Sequence, residues 1–215
     1  MNIIDTFLVH NQKAPYVDDH LARSFEALNK INNFDDYQAL KKLYTTIIAK
    51  APLASEKIKV QITFSSERLN DSVVKYSNLD HLPEIYRLKL ADRPLNDAEY
   101  SKATYKTDQR QHWTEFLDSC GTDDVIAYNK YGYITETSRF NIYVINQEAC
   151  FTPPLSSGCL DGVLRKILLK QGFIHFNGLN YPLMEKNINI DELFKAHIIL
   201  GNSLRGLIPS KIKLI

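Results

Sequence analysis

Strict alternation of apolar and polar residues over residues 58–64 predicts a β-strand with one buried face. The segment reads Ile-Lys-Val-Gln-Ile-Thr-Phe, and side chains of a strand point alternately to the two faces of a sheet. Two amphipathic segments precede it, at about 18–31 and 35–51, with apolar residues every three or four positions. That spacing is typical of helices that pack one face on a core. The first part of the chain therefore predicts helices packed on a sheet.

The remaining patterns predict further short strands and helices, and together they indicate the α+β class. A polar, aperiodic segment with Pro94, Asn96 and Asp97 predicts a linker at 93–104. The chain is accordingly expected to divide into a smaller N-terminal α+β domain, residues 1–92, and a larger C-terminal domain, residues 105–215. The expected elements are a hairpin at 3–17, a strand at 84–90, a helix at 106–119, strands at 125–128 and 142–146, a helix at 162–170 and a strand at 196–200.

Composition sets the expected surroundings of the protein. The 215 residues carry a net charge of +1, which gives no electrostatic reason to expect nucleic acid or an anionic membrane as a partner. We find neither a signal peptide nor an apolar run of the roughly 20 residues that a membrane span needs. Cys120, Cys150 and Cys159 show no metal-ligand spacing, so we interpret them as reduced thiols and expect no metal and a cytoplasmic protein.

Three segments contain residues suited to chemistry. Residues 152–165 form a Pro- and Ser-containing loop that enters a helix through Gly162, and the free N–H groups of a first helical turn suit an anion such as phosphate. Glu136 and a run of small polar residues lie directly before a predicted strand, and Lys106 follows the linker. Alone, these segments predict a plain loop-to-helix junction, a solvated turn and a surface lysine.

Taken in order, the three segments resemble the class IV aminotransferases. That group includes branched-chain and D-amino-acid aminotransferases and 4-amino-4-deoxychorismate lyase. The resemblance is carried by the lysine, by Glu-Thr-Ser-Arg-Phe-Asn-Ile-Tyr at 136–143, and by the Thr-Pro-Pro segment with Leu-x-Gly-x-x-Arg at 152–165. His-Leu-Ala-Arg-Ser at 20–24 and Gly-Asn-Ser-Leu-Arg at 201–205 resemble two further motifs of the group.

The resemblance implies a two-domain fold of the D-amino-acid-aminotransferase type (fold type IV) with a trimmed N-terminal domain. It also implies pyridoxal 5'-phosphate as the cofactor and a homodimer as the assembly. Lys106 would hold the cofactor through a Schiff base and move the proton at the substrate α-carbon. Glu136 would face the pyridine nitrogen and keep the ring protonated. The other implied contacts are Arg23, the N–H groups of Val163 and Leu164, and Ser203 with the phosphate, Ser138 and Arg139 near the phosphate or ring, and Arg205 with a substrate carboxylate.

The same resemblance leaves the reaction open. The Lys-x-x-x-Arg pattern at 106–110 and the Asn-Ser-Leu segment at 202–204 favour 4-amino-4-deoxychorismate lyase-like elimination of pyruvate over transamination. Gln111 stands where many transaminases of the group have tyrosine, and Leu164 where members often have threonine. These departures and the short N-terminus are what a catalytically inactive relative acting as a binding module would show. Retention of the lysine, the glutamate and the N-terminal arginine argues for an enzyme.

Overall fold

The computed structural model describes residues 1–53, 56–65, 67–102, 104–118 and 121–213, with the side chains of 101 and 102 left undescribed. The chain divides into two compact units. The first comprises residues 1–81 and 105–109, and the second comprises residues 82–104 and 110–215. Because each unit has its own hydrophobic core, the two are described separately.

The first unit is a three-stranded antiparallel sheet with two helices. The strands β1, β2 and β3 lie in that order in the sheet. Phe7 of β1 lies opposite Val60 of β2, and both side chains are fully buried. Leu21 and Leu28 of the first helix and Leu40 of the second complete the apolar core. The elements are β1 Ile4–Val9, α1 Val17–Asn32, α2 Tyr37–Ala49, β2 Ile58–Thr63 and β3 Val73–Asn78.

The segment 105–109 joins this unit as an extended strand-like piece. The N–H of Ile4 donates to the carbonyl of Lys106 at 2.7 Å, and Ile3 pairs with Thr107 in an antiparallel bridge. The backbone of Lys106 is thereby fixed to the start of β1. The pairing partner is about 100 residues away in the sequence, which explains why the local pattern alone predicted a helix here.

The second unit is built on a nine-stranded sheet. Its strand order is β11-β12-β4-β5-β6-β7-β8-β10-β9, and an additional pairing of β11 with β7 closes six of the strands into a ring. The interior includes Leu88, Ile126, Ile142 and Leu200, all fully buried. The elements are β4 Tyr86–Leu90, α3 Asp97–Lys102, α4 Gln111–Asp118, β5 Asp124–Tyr128, β6 Ile134–Thr137, β7 Asn141–Ile145, β8 Cys150–Thr152, α5 Val163–Gln171, β9 Phe173–Phe176, β10 Leu179–Glu185, α6 Ile190–Phe194, β11 His197–Asn202 and β12 Gly206–Ile212.

Two predictions of local structure are wrong. The predicted N-terminal hairpin at 3–17 is absent from the described structure, because β1 pairs with β2 instead and only a single bridge joins His10 to Lys13. The predicted helix at 106–119 begins only at Gln111, since the residues before it pair with the start of β1. The end of that predicted helix, Ser119, lies outside the described residues.

The division into units also differs from the predicted domain boundaries. Residues 82–92 belong to the second unit because β4 pairs in parallel with both β5 and β12. Residues 105–109 belong to the first unit. The predicted linker at 93–104 contains α3 and is part of the second unit. The chain therefore enters the second unit at residue 82, returns to the first unit for residues 105–109, and enters the second unit again at residue 110.

The described residues contain neither a membrane-spanning helix nor a group of side chains suited to a metal ion. No helix in the described ranges is long and apolar enough to cross a membrane. Within the same ranges, no three His, Cys, Asp or Glu side chains are grouped so that they could hold a metal ion. Cys150 and Cys159 are buried, and burial raises the pKa of each thiol to about 12; Cys120 lies outside the described residues.

Candidate active site

A buried carboxylate organises the candidate residues of the first unit. Asp5 of β1 is fully buried. Its oxygens accept hydrogen bonds from the Nδ1 of His20 at 3.0 Å, the Nη2 of Arg23 at 2.5 Å and the hydroxyl of Tyr44 at 2.8 Å. The Ser24 hydroxyl lies 2.8 Å from that of Tyr44. Since a carboxylate only accepts, the Nδ1 of His20 carries a hydrogen.

Electrostatics place Lys106 in the same neighbourhood. Burial by itself would raise the pKa of the Asp5 carboxyl, but the charges of His20, Arg23 and Lys106 outweigh it and hold that pKa well below its usual range. The Tyr44 hydroxyl shows the opposite effect, because burial and the Asp5 charge raise its pKa well above the usual value. Arg23 therefore donates to the buried Asp5 carboxylate, and the backbone of Lys106 pairs with Ile4, the neighbour of Asp5 in β1.

The second unit supplies a second carboxyl group, that of Glu136 in β6. The side chain is partly buried, and its Oε2 accepts a hydrogen bond from the N–H of Leu160 at 3.1 Å. Burial raises the pKa of Glu136 to about 7, against the lowering effects of the Leu160 N–H and the nearby Arg110 guanidinium. A carboxyl group with this pKa can hold or release a proton near neutral pH.

Ser138 and Arg139 form the turn that follows Glu136. The carbonyl of Ser138 accepts a hydrogen bond from the Arg110 guanidinium, and its N–H donates to the buried Asp124 carboxylate at 3.1 Å. Asn141 then begins β7 directly opposite Glu136. These bonds fix the turn on both sides, so that the exposed Arg139 side chain projects from a rigid base.

The helix predicted after Gly162 is present as α5, and its first turn has no side-chain cap. Gly162 caps the helix without a side-chain hydrogen bond, and Val163 and Leu164 are its first two residues. Leu164 packs in the apolar cluster with Tyr143, so only its backbone N–H is available to an anion. Gly162 also approaches Asn141 closely, because a Cβ on Gly162 would lie 2.0 Å from the Asn141 Oδ1.

We expect Gly162→Ala to loosen this helix start. The backbone at 162 has φ −70° and ψ 140°, which alanine adopts freely, so the cost is steric. Asn141 would have to move and weaken its 2.9 Å hydrogen bond to the Leu160 carbonyl. The expected loss is about 1–3 kcal/mol of unfolding free energy, measured by denaturant unfolding with Trp113, the single tryptophan, as the fluorescent reporter. Gly178→Ala is a contrasting control, because it meets no neighbouring atom and its cost is the strain of φ +80° alone; equal stability of Gly162→Ala and the unaltered protein would contradict the packing argument.

A third turn holds Ser203 and Arg205. The Oδ1 of Asn202 accepts hydrogen bonds from the N–H groups of Leu204 at 3.1 Å and Arg205 at 2.8 Å, while its Nδ2 donates to the Arg139 carbonyl at 3.1 Å. Asn202 thus ties this turn to the one after Glu136. The Arg139 and Arg205 guanidinium groups both act on the Tyr86 hydroxyl, whose pKa burial raises and the two cations lower.

The structure therefore gathers the predicted residues of the second unit at one end of its sheet. Gly201 of β11 lies opposite Asn141 of β7, and Asn141 contacts the cap of α5. The two turns and the helix start are consequently neighbours. The predicted residues that share this region are Glu136, Ser138, Arg139, Val163, Leu164, Ser203 and Arg205. Arg23 and Lys106 belong to the first unit, around Asp5.

Comparison with known proteins agrees with these motifs. The family model for amino-transferase class IV matches residues 2–212. The chain belongs to this family. A provisionally named aminodeoxychorismate lyase of Schizosaccharomyces pombe is 30% identical over 169 residues, which are 78% of this chain and 55% of that protein. An aminodeoxychorismate lyase of Saccharomyces cerevisiae is 26% identical over 188 residues, 83% of this chain and 44% of that protein. The chain spans about half the length of the curated relatives it matches.

Solved structures of class IV proteins share the fold. A provisionally named amino-acid aminotransferase from Mesorhizobium loti superposes with a TM-score of 0.82 at 25% identity, covering 99% of both chains. The 4-amino-4-deoxychorismate lyase from Pseudomonas aeruginosa gives a TM-score of 0.77 at 19% identity, covering 98% of this chain and 82% of that one. The mixed architecture of helices and sheets is therefore that of class IV enzymes.

Class IV enzymes use pyridoxal phosphate, and the donor set of this chain fits that group. A pyridine nitrogen needs a carboxyl partner that titrates near neutrality, which Glu136 offers. A phosphate needs fixed cations or backbone N–H groups. The first unit has such a cation in Arg23, and the second unit has such N–H groups at the uncapped start of α5. A cofactor aldehyde needs a lysine amine, for which Lys106 is the candidate.

The sequence motifs missed the residues that hold this donor set in place. Asp5 lies in a segment whose alternation was loose, yet it shares the inward face of β1 with Phe7. Asn141 donates to the carbonyl of Leu160, 19 residues away, and Asn202 donates to the carbonyl of Arg139, 63 residues away. The period-two pattern of β1 carried a usable signal for Asp5, because residues two apart in a strand point to the same face.

Proposed function

We propose that this chain is a pyridoxal-phosphate-dependent enzyme acting on an amino acid or amino-carboxylate, with 4-amino-4-deoxychorismate lyase-like elimination of pyruvate as its reaction. The observation that carries the enzyme proposal is the hydrogen bond of Arg23 to the buried Asp5 carboxylate, beside the backbone pairing that holds Lys106 at the start of β1. The names of the relatives that cover 78% and 83% of the chain support the lyase reaction.

Each residue has a role in this proposal. When bound, pyridoxal phosphate supplies an aldehyde that captures an amine and a pyridinium ring that accepts the electron pair left by α-proton removal. Lys106 would hold the aldehyde through its amine and would act as the base that takes the proton from the substrate α-carbon. Arg23 and the N–H groups of Val163 and Leu164 bind the phosphate. Ser203 adds a hydroxyl contact to it, and Ser138 supports the phosphate or ring.

Glu136 holds a proton on the pyridine nitrogen in this scheme. With a pKa near 7, its carboxyl group is close enough in acidity to a pyridinium for the two to share a proton. The ionised carboxylate then stabilises the protonated ring by charge. The N–H of Leu160 orients the carboxylate oxygen.

Without cofactor, we expect Glu136→Gln to stabilise the protein above pH 7 and to leave it unchanged near pH 4. The folded pKa of about 7 exceeds the unfolded value of about 4.3. The unfolded chain therefore releases this proton first, and stability falls as the pH rises from about 4 to 7. The side chain is partly exposed, so we expect a gain of at most about 2 kcal/mol. Unfolding curves at pH 4 and pH 8 measure it, and a gain at pH 4 equal to that at pH 8 would refute the raised pKa.

Arg205 is proposed to bind the substrate carboxylate, with Arg139 in the adjoining turn. The turns that carry the two arginines are tied together by Asn202, whose Nδ2 donates to the Arg139 carbonyl and whose Oδ1 accepts from the Arg205 N–H. A planar guanidinium binds a carboxylate through two parallel hydrogen bonds. An anionic amino-carboxylate is thus the substrate class that this end of the sheet favours.

Transamination is the second candidate, because other class IV relatives carry aminotransferase names. A D-alanine aminotransferase of Bacillus licheniformis is 33% identical over 79 residues, 36% of this chain and 26% of that protein. Lysine-mediated removal of the α-proton is common to both reactions. Elimination then expels a β-substituent, whereas transamination transfers the amino group to a 2-oxo acid.

Two assays separate these candidates. Purified protein incubated with pyridoxal phosphate should gain a visible absorbance band that borohydride alters. It should then release pyruvate and p-aminobenzoate from 4-amino-4-deoxychorismate with no amino acceptor present. Consumption of a 2-oxo acid in a panel of amino donors, without pyruvate release, would replace the lyase by a transaminase. A protein that takes up no cofactor would be the inactive binding relative and would overturn both.

We further propose that the protein is a cytoplasmic homodimer with no nucleic-acid or membrane partner. The near-neutral charge of +1 supports the absence of polyanionic partners. The homodimer rests on the resemblance to class IV enzymes. Light scattering on the purified protein tests it, and a monomeric mass at micromolar concentration would contradict it.

A further inference from the structure

The buried Asp5 carboxylate has no part in the roles proposed so far. It is fully buried, and its hydrogen-bond donors come from two different helices, His20 and Arg23 from α1 and Tyr44 from α2. Burying an ion pair does not by itself stabilise a fold, because apolar residues of similar volume often serve as well or better. A carboxylate held by three side chains therefore suggests that it orients one of its donors.

We propose that Asp5 is a positioning residue that presets the Arg23 guanidinium for the phosphate of the cofactor. The inference rests on the proposed function and goes beyond it, because it assigns the phosphate selectivity of the site to a residue that does not contact the phosphate. Asp5 acts only through Arg23.

The geometry of Arg23 supports this role. Its Nη2 donates to the Asp5 Oδ1, while the side chain remains 18% exposed. A guanidinium carries five N–H groups in a rigid fork. Among the described residues, Asp5 is the only acceptor bonded to the Arg23 guanidinium, so its other N–H groups can bind an anion. One edge of the guanidinium is thus held by Asp5, and the other edge can bind the phosphate.

The anchor itself is rigid. The Asp5 backbone belongs to β1, which pairs with β2 on one side and with residues 106–107 near its start. The Tyr44 and His20 donors restrain the carboxylate from the other directions. A guanidinium held against such an anchor loses little side-chain freedom when it binds phosphate. The entropy cost of ordering the side chain therefore arises during folding and does not weaken phosphate binding.

Two effects of Asp5 on phosphate binding oppose each other in sign. Orientation of Arg23 strengthens binding, whereas the negative charge of Asp5 partly cancels the charge of Arg23 and weakens it. Removal of the charge by Asp5→Asn therefore decides between them. If orientation dominates, phosphate recognition falls; if charge cancellation dominates, it rises.

The measurement is the ratio of dissociation constants for pyridoxal and pyridoxal phosphate, taken by fluorescence or absorbance titration. Pyridoxal lacks the phosphate, so the ratio isolates phosphate recognition and cancels any effect of Asp5 on Lys106. We expect Asp5→Asn to lower the ratio about 2- to 10-fold and Arg23→Gln to lower it at least about tenfold. Asp5→Asn in an Arg23→Gln background should change the ratio no further.

Two variants complete the design. Arg23→Lys leaves Asp5 in place and keeps a cation, but an ammonium cannot bridge the anchor and the phosphate as a fork does. Arg23→Lys should lower the ratio of dissociation constants nearly as much as Arg23→Gln does. This variant tests the role of Asp5 even if Asp5→Asn fails to fold. Asp18→Asn removes an equal charge from the exposed first turn of α1 and should leave the ratio unchanged.

The outcomes separate this inference from the proposed function. If the unaltered protein binds no pyridoxal phosphate, both are overturned. If it binds pyridoxal phosphate selectively but Asp5→Asn keeps or raises the ratio, or Arg23→Lys keeps it, only the positioning role of Asp5 is overturned. The lowered ratio in both variants supports it.

Discussion

Replacement of Lys106 by alanine is expected to abolish attachment of the cofactor and to reduce turnover by at least about 10³-fold. Under the proposed function, the variant loses both the amine that would bind the aldehyde and the base that would move the α-proton. The fold should persist, because the contact that fixes this segment to β1 is made by the backbone carbonyl of Lys106 and by Thr107. Borohydride treatment followed by peptide mass analysis should find the reduced cofactor on residue 106 of the unaltered protein.

Lys130→Ala is the matched control for this experiment. The Lys130 ammonium is exposed and pairs with Asp97 at 2.8 Å, so its loss should leave cofactor uptake and turnover unchanged. A primary amine such as methylamine, added to the Lys106→Ala variant, should restore part of the proton transfer. Borohydride labelling at another lysine, or full uptake of covalently bound cofactor by Lys106→Ala, would show that Lys106 is not the cofactor lysine.

Several elements of the fold follow from local patterns alone. The strand at 58–64 and the helices at 18–31 and 162–170 were predicted within one residue of the observed bounds of β2, α1 and α5. Each combines a clear period of two or 3.6 residues with a defined end. Gly172, for example, ends α5 in the left-handed conformation with φ +79°, which glycine adopts without the strain of a Cβ.

Long-range pairing was beyond the reach of these patterns. Residues 106–110 were predicted to be the start of a helix, because nothing local shows that Thr107 pairs with Ile3. Glu136 was predicted to lie in a turn, whereas it lies in β6. The hydroxyl of the neighbouring Thr135 donates a hydrogen bond to the Ala127 carbonyl at 3.1 Å. Polar residues such as these read as a solvated loop until their partners are known.

The order of chemical residues proved more informative than their surroundings. Arg23, Lys106 and Glu136 each look ordinary locally, and their order along the chain identified the family that the comparisons then showed. The same order could not reveal Asp5, because a carboxylate in the first strand belongs to none of those motifs. The alternation of β1 places Asp5 on the same face as Phe7, but its three hydrogen-bond donors are visible only in the three-dimensional structure.

Asp5→Asn is expected to destabilise the first unit by about 3 kcal/mol at pH 7, because it leaves donors on His20, Arg23 and Tyr44 poorly matched. The folded pKa of Asp5 lies well below its usual range, while the unfolded chain titrates near 3.9. Its contribution is therefore complete above about pH 5 and is lost as the pH falls below about 4. The difference in unfolding free energy between Asp5→Asn and the unaltered protein should thus shrink in acid, by up to about 1.4 kcal/mol per pH unit. Hydrogen exchange of the β1 and α1 amides measures it, with Asp18→Asn as the charge control. A difference that stays constant from pH 7 to pH 3 would mean that the Asp5 carboxylate is not held ionised by its partners.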